Sequence, residues 1–312
     1  MQIKSIEIGN YQTKNNIFLA PMAGWTDYSF RHLALKSGYG LCFTELVSAK
    51  GLLYKSKNSD SLLYCGDDKG FTGAQIFGSD AFSMRSAIES DYLKDFSIID
   101  INMGCPVPKV YKNGDGSALL KDILKAETIL KECVKTGKNI TLKIRIGLVK
   151  GDDIATEFTK MAENAGVKLV TIHGRVRDDY YSGEPNYDAI YKAKKSVEIP
   201  VIANGGLFTK ADVETMFENT GVDGVMIARG AFSNPFLINQ LLSTQNKLSL
   251  KDFMIEHLLT LRDRYGERRT TLEFRKFVGT YLKGINNVKE KKLALLSSDN
   301  TEEILQIINE IF

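Results

Sequence analysis

The chain is poor in the residues that build metal and disulfide sites. Its 312 residues include three histidines and four cysteines. Cys42, Cys65, Cys105 and Cys133 lie far apart with no C-x-x-C pair, which argues against a disulfide framework or a zinc centre. His32, His173 and His257 form no ligand cluster, so no metal site is expected. There is no run of about 20 apolar residues to cross a membrane. The opening MQIKSIEIGNYQTKNN lacks the apolar stretch of a secretory signal. These absences give the expectation of a cytoplasmic protein with no membrane partner.

What is present has the balance of a globular chain, 43% hydrophobic and 25% charged. Eight short apolar segments recur at intervals of about 25–40 residues, the rhythm of strand–helix units. They are IFLAPMAG (17–24), LCFTELVSA (41–49), FTGAQIFG (71–78), FSIIDINMG (96–104), NITLKIRIG (139–147), KLVTIHGR (168–175), IPVIANGG (199–206) and VDGVMIARG (222–230). Most are rich in β-branched residues and short enough for strands buried on both faces. The stretches between mostly read as amphipathic helices: KAETILKECVKTG and DDIATEFTKMAENAG end in Gly137 and Gly166, and TKADVETMFENTG starts at a capping Thr209. Eight such units predict an α/β fold, a (β/α)8 barrel. An open doubly wound sheet would want an early G-x-G-x-x-G, which is missing. After the polar break STQNKLS (243–249), Ser249 and Asp252 open a helix, and TLEFRKFVGTYLKG and TEEILQIINEIF read as two more. The expected division is therefore a barrel over residues 1–244 and a small α-helical bundle over 245–312.

Charge is unevenly spread. Ten bases and four acids lie between Arg262 and Lys292, a local net of +6 in a chain of net +3. Either a polyanionic partner or a solvated helical face accounts for this.

In such barrels the chemistry sits at the C-terminal ends of the strands. Those ends carry Pro21, Met22 and Ala23; Gln75; Asn102 and Cys105; Lys143 and Arg145; His173 and Arg175; Asn204, Gly205 and Gly206; and Ala228 and Arg229. Turns after the seventh and eighth strands commonly bind phosphate, and there Gly205, Gly206 and Arg229 suit an anion, with Ser233 placed to cap a short helix. Plain turn glycines are the alternative. Lys143 sits in an apolar strand and needs a partner, either an anionic ligand or a carboxylate such as Glu45 or Asp100. His173 suits a ring or phosphate contact, or a hydrogen-bonded place in the core. Cys105 follows a strand on a Gly104–Pro106 bend, where neither helix nor strand continues. A reactive role is expected for it, whereas Cys42 and Cys133 read as core residues.

Taken together, LAPMAGWTDYSFR, FTELVSAKGL, INMGCPVPKVYKNGDGSALL, LKIRIG, TIHGRVRDDYYSGEPNYDAI, VIANGGLFT and MIARGAFSNPF resemble the tRNA-dihydrouridine synthases, most closely the bacterial B-type branch. The resemblance implies an FMN-dependent oxidoreductase that uses NADPH to reduce the C5=C6 bond of uridines in tRNA. Hydride would pass from reduced flavin N5 to C6, with a proton from Cys105 to C5. Pro21, Met22 and Ala23 would back the flavin ring, and Gln75 and Lys143 would meet its polar edge. His173, Asn204, Gly205, Gly206, Ala228 and Arg229 would hold the rest of the cofactor. Asn102 would meet the uracil edge. Lys143 and Arg145 would stabilise the developing enolate. Arg175 and Tyr181 beside the mouth, and Arg275 and Lys276 in the bundle, would contact the tRNA. The family also implies a monomer. Another FMN barrel reducing or oxidising a free small molecule, or an idle tRNA-binding module, are the competing readings.

Overall fold

Each of the eight apolar segments forms a strand in the computed structural model, which describes residues 1–246 and 248–312. Lys247, inside the polar break, lies outside them. The strands are β1 (Ile17–Leu19), β2 (Cys42–Phe43, resumed at Val47–Ser48), β3 (Thr72–Phe77), β4 (Ile98–Met103), β5 (Asn139–Gly147), β6 (Leu169–Val176), β7 (Val201–Asn204) and β8 (Gly224–Ile227). All pair in parallel in the order β1-β8-β7-β6-β5-β4-β3-β2. The ring closes where Phe18 bridges Leu41 and the Leu19 N–H donates to the Leu41 carbonyl at 2.9 Å. Every residue of β4 and of β6 is buried, as strands covered on both faces must be. The interruption of β2 is bridged by Thr44, whose N–H donates to the Gly73 carbonyl at 2.9 Å.

The barrel interior has two halves. At the N-terminal ends of the strands, Phe18, Phe43, Ile98, Leu169, Ile202 and Met226 make an apolar layer. Ile6 and Ile8 complete it from below. They belong to a hairpin, Glu7–Ile8 paired with Tyr11–Gln12, which the sequence pattern does not reveal because its strands are two residues long. Its Gly9 turns at φ +61°, and a Cβ there would lie 2.2 Å from Asn139 Oδ1. The hairpin is tied on by the Asn139 amide, which donates to Asn10 Oδ1 at 2.7 Å. The other half of the interior, at the C-terminal ends, is polar.

Helices cover the outside, and their caps follow the sequence: Thr209 and Asp212 form a capping box, and Gly221 ends the Lys210–Thr220 helix in the left-handed region. Beyond residue 249 come four helices, Leu250–Tyr265, Glu267–Tyr281, Lys289–Ser297 and Thr301–Ile311. The third was not expected; it buries fully only Leu295, so its apolar periodicity is weak. The bundle meets the barrel through rings. Phe30 and Phe232 of the barrel lie 5.5 and 5.9 Å from Phe277, and Trp25 lies 5.3 Å from it. Such pairs add about 0.5–1.5 kcal/mol each beyond area burial. His257 is buried among them, and desolvation lowers its pKa to about 3. It stays neutral, with Nδ1 hydrogen-bonded to the Tyr281 hydroxyl at 2.9 Å. Among the described residues no helix is long and apolar enough to cross a membrane.

Candidate active site

A cavity of about 620 Å³ opens at the C-terminal ends of the strands. Its floor is set by strand register. Gln75, Asp100 and Thr141 stand side by side on β3, β4 and β5. Two residues further up, Asn102 pairs with Lys143. Higher still, Arg145 pairs with His173, which pairs with Asn204. Alternation along each strand turns these side chains to the interior.

The thiol is held by its neighbours. The Cys105 N–H donates to Asn102 Oδ1 at 2.9 Å. The Cys105 carbonyl accepts from the Ser117 N–H at 3.1 Å and from its hydroxyl at 2.8 Å. Cys105 is half-buried, whereas the other three cysteines are buried. Desolvation pushes its pKa up, against smaller opposing effects of the Val107 N–H, Arg145 and Lys143. The thiol therefore keeps its proton near neutral pH.

Four cations surround the cavity: Lys143, Arg145, Arg175 and Arg229. Among the described residues no carboxylate lines it. Lys143 makes no ion pair with Glu45 or Asp100; its ammonium donates to Asn204 Oδ1 at 3.1 Å, and Asn204 in turn donates to the Met226 carbonyl at 2.7 Å. Burial first, then the Arg145 charge, lower the Lys143 pKa to about 8. Arg145 is buried and donates to the carbonyls of Gly104, Val176 and Tyr180, each at 2.9 Å. It braces the loops carrying Cys105 and Tyr181 as much as it faces the cavity.

The tautomer of His173 follows from its neighbour. Arg175 Nη1 lies 3.3 Å from His173 Nε2, and a guanidinium only donates. Nε2 is therefore the acceptor, and the neutral ring carries its proton on Nδ1. Desolvation and the four nearby cations hold its pKa well below 6.5, so it stays neutral.

The turns after β7 and β8 are backbone cradles. Gly205 and Gly206 have φ of +111° and +74°. A Cβ on Gly205 would lie 2.7 Å from His173 Cδ2, and one on Gly230 would lie 2.0 Å from the Leu207 carbonyl oxygen. Arg229 reaches back to the Tyr181 carbonyl at 3.2 Å and lies under its ring at 5.0 Å. Ser233 does not cap the short Arg229–Ser233 helix as expected; it is the last residue, and Ala228 takes the N-cap position.

The cavity thus brings together Pro21, Met22, Ala23, Gln75, Asn102, Cys105, Lys143, Arg145, His173, Arg175, Tyr181, Asn204, Gly205, Gly206, Ala228 and Arg229. Arg275 and Lys276 do not line it. Arg275 is occupied inside the bundle, donating to Asp299 at 2.6 Å and to the Ser298 carbonyl at 3.0 Å. Lys276 lies at the rim, bonded to Glu273 and 3.3 Å from the Gly24 carbonyl. Trp25, Phe232 and Thr280 also line the cavity and were not foreseen. Trp25 adjoins the Pro21–Ala23 block and was open to inference. Thr280 comes from the bundle helix Glu267–Tyr281, and nothing in its sequence neighbourhood marks it.

The comparisons agree on a family. The model of the family described as dihydrouridine synthase matches residues 18–311. A tRNA-dihydrouridine synthase B of Vibrio parahaemolyticus is 38% identical over 288 residues, covering 89% of each chain. That of Pseudomonas putida is 36% identical over 310 residues, covering 96% of this chain and 92% of its own. Among solved structures, a 2-naphthoyl-CoA reductase complex superposes with a TM-score of 0.59 at 12% identity, covering 77% of this chain and 52% of that one. A morphinone reductase variant bound to tetrahydroNAD gives 0.56 at 10% identity, covering 80% and 93%. Those last two likenesses are of fold.

Proposed function

We propose that this chain, which belongs to the dihydrouridine synthase family, reduces the C5=C6 bond of uridines in tRNA with FMN at the barrel mouth and NADPH as electron donor. One observation carries the assignment of roles: a half-buried thiol whose pKa burial raises and a lysine with unspent N–H groups face one cavity, and among the described residues no carboxylate lines it.

The residues fit an anionic, electron-rich cofactor. The cavity is cationic, and the Gly205–Gly206 turn has no side chain to block a close approach to its N–H groups. Arg229 and that turn would hold the phosphate; Pro21, Met22 and Ala23 would back the ring, with Gln75 at its polar edge. Asn204 and Ala228 would complete the cradle. FMN, when bound, supplies the hydride. His173 Nδ1–H and Lys143 are the donors aimed inward, and both stabilise negative charge on a bound ring or carbonyl.

Asn102 keeps one N–H after donating to Gln75, which suits a uracil carbonyl. Cys105 holds its proton and gives it to carbon, a role that calls for an unactivated thiol. Arg145 fixes the height of the Cys105 loop and adds positive potential. Turning the uridine out of its stack costs a few kcal/mol. Arg175, Tyr181, Arg275 and Lys276 would offset that cost, Tyr181 by stacking and the bases by phosphate contact or by shaping the bundle. In this reading residues 1–244 are the catalytic part, 245–312 grip the tRNA, and the chain works as a monomer.

The test uses purified protein, NADPH and tRNA lacking dihydrouridine. Cys105→Ala should still bleach flavin absorbance near about 450 nm while product falls roughly 10²–10⁴-fold, the range for a lost general acid. Wild-type product from that variant would end the acid assignment, and a preparation that binds no FMN would end the cofactor assignment.

A further inference from the structure

Asp100 is fully buried in the middle of β4 and takes no part in the chemistry above. Its surroundings form a chain of hydrogen bonds with a set direction. The N–H groups of Gly104 and Cys105 can only donate, so the Asn102 atom facing them, at 3.2 and 2.9 Å, is Oδ1. Asn102 Nδ2 then points to Gln75 and donates to Oε1 at 3.1 Å. That turns Gln75 Nε2 toward Asp100 Oδ2, at 2.7 Å. The atom ending the chain must be an oxygen that accepts. Asp100 supplies it, and its other oxygen accepts from the Thr141 hydroxyl at 2.6 Å.

We propose that Asp100 is a positioning residue: acting through Gln75 and Asn102, its carboxylate fixes which way round both amides sit, and so holds the Gly104–Cys105 peptide and the thiol at the barrel mouth. The role in catalysis rests on Cys105 being the proton donor; the positioning itself does not. An amide turned the wrong way at Asn102 would set its NH2 against two backbone N–H groups, and those buried donors would lose their partner. Three side chains on two strands thus act as one unit. From the elements packed against Asp100, the groups that face it are Gln75 on β3 and Thr141 and Lys143 on β5; Lys143 is the charged one.

Asp100→Asn alone does not test this, because the new amide can turn its oxygen to Gln75 and its NH2 to the Thr141 oxygen. Gln75→Glu does test it. It sets two carboxylates face to face, which can both be accommodated only while they share a proton. Asp100→Asn/Gln75→Glu moves the carboxylate one place along: the bonds from Asn102 and from Thr141 keep their direction, and the bond between residues 75 and 100 reverses, Asn donating to Glu. The measurement is the alkylation rate of Cys105 by iodoacetamide in cofactor-free protein between about pH 6 and 9, located by mass spectrometry. The other three cysteines are buried, so the rate reports this loop.

In Gln75→Glu, loosening should expose the thiol and speed alkylation about tenfold beyond the wild-type profile as the shared proton leaves, the equivalent of one lost hydrogen bond. The double variant should return to the wild-type profile. Wild-type alkylation in Gln75→Glu across the range, or a double variant no closer to wild type than the single, would overturn the proposal. If Gln75→Glu fails to fold, the double variant decides alone: a wild-type profile supports the relay and a tenfold faster one overturns it. The acid role fails separately, through unchanged product in Cys105→Ala.

Discussion

The bundle carries ten bases between Arg262 and Lys292, and the barrel mouth carries four, yet the smaller set is the less compensated. In the bundle Arg262 meets Glu302 at 2.8 Å, Arg275 meets Asp299 at 2.6 Å, Arg269 meets Glu273 at 3.8 Å, and Lys276 and Lys291 also reach carboxylates. At the mouth, Lys143, Arg145, Arg175 and Arg229 bond to amide and carbonyl oxygens or to an imidazole. Those partners satisfy hydrogen bonds without cancelling charge. A count of bases along the chain thus locates net charge, whereas the field a ligand meets depends on what each base has already met. The mouth therefore presents uncancelled positive charge, and the bundle a diffuse surface of partly paired bases.

Among the bases of the two regions the largest effect should come from Lys143. Lys143→Met should cut dihydrouridine formation in single turnover by about 10²–10³-fold, the size of a lost transition-state donor. A loss of the same size in Arg275→Ala would break the contrast between the two regions. The same lysine gives a pH signature in cofactor-free protein. Its folded pKa of about 8 lies below the ordinary 10.5, so below pH 8 it is charged in both states and its burial cost is fully felt. Between those two values the folded state has released the proton and the unfolded state has not, so stability rises with pH, by on the order of 3 kcal/mol. Urea unfolding of wild type should show the rise and Lys143→Met should lack it; parallel curves would mean the charge is not desolvated. Next in size, Arg229→Ala should weaken FMN binding roughly tenfold, as for one lost charged hydrogen bond, measured by fluorescence quenching. The smallest effects belong to the bundle. Arg275→Ala should cost up to about 1 kcal/mol of stability, typical of an exposed pair, and leave the salt dependence of tRNA binding unchanged. Lys276→Ala should lower the slope of log affinity against log salt by about 1. Reversed results for these two would exchange their roles.

The ring of strands was legible because a covered parallel strand has a compositional mark, and the segments ending in Asn102, Lys143, His173, Asn204 and Ala228 all carry it. The residues at those ends followed from the barrel rule and met in one cavity. What was not legible depends on contacts between distant residues. Nothing local shows that Arg145 turns to three carbonyls, that Arg275 closes a helix junction, or that Thr280 reaches the cavity from the bundle. Asp100 entered the reading as a partner for Lys143, because charge suggests a salt bridge; register places it between Gln75 and Thr141 instead. The hairpin was missed because two-residue strands leave no periodicity to detect.

That hairpin bears on the order of assembly. Ile6 and Ile8 precede all eight strands, but their seat includes Phe18 at one end of the barrel sequence and Met226 at the other. The seat is complete only when β8 has closed against β1, so the plug is a late-docking piece tethered to the earliest strand. Its release would be the first visible sign of the ring reopening. Proteolysis within the Glu7–Gln12 hairpin would therefore time the opening of the barrel from the end farthest from the chemistry.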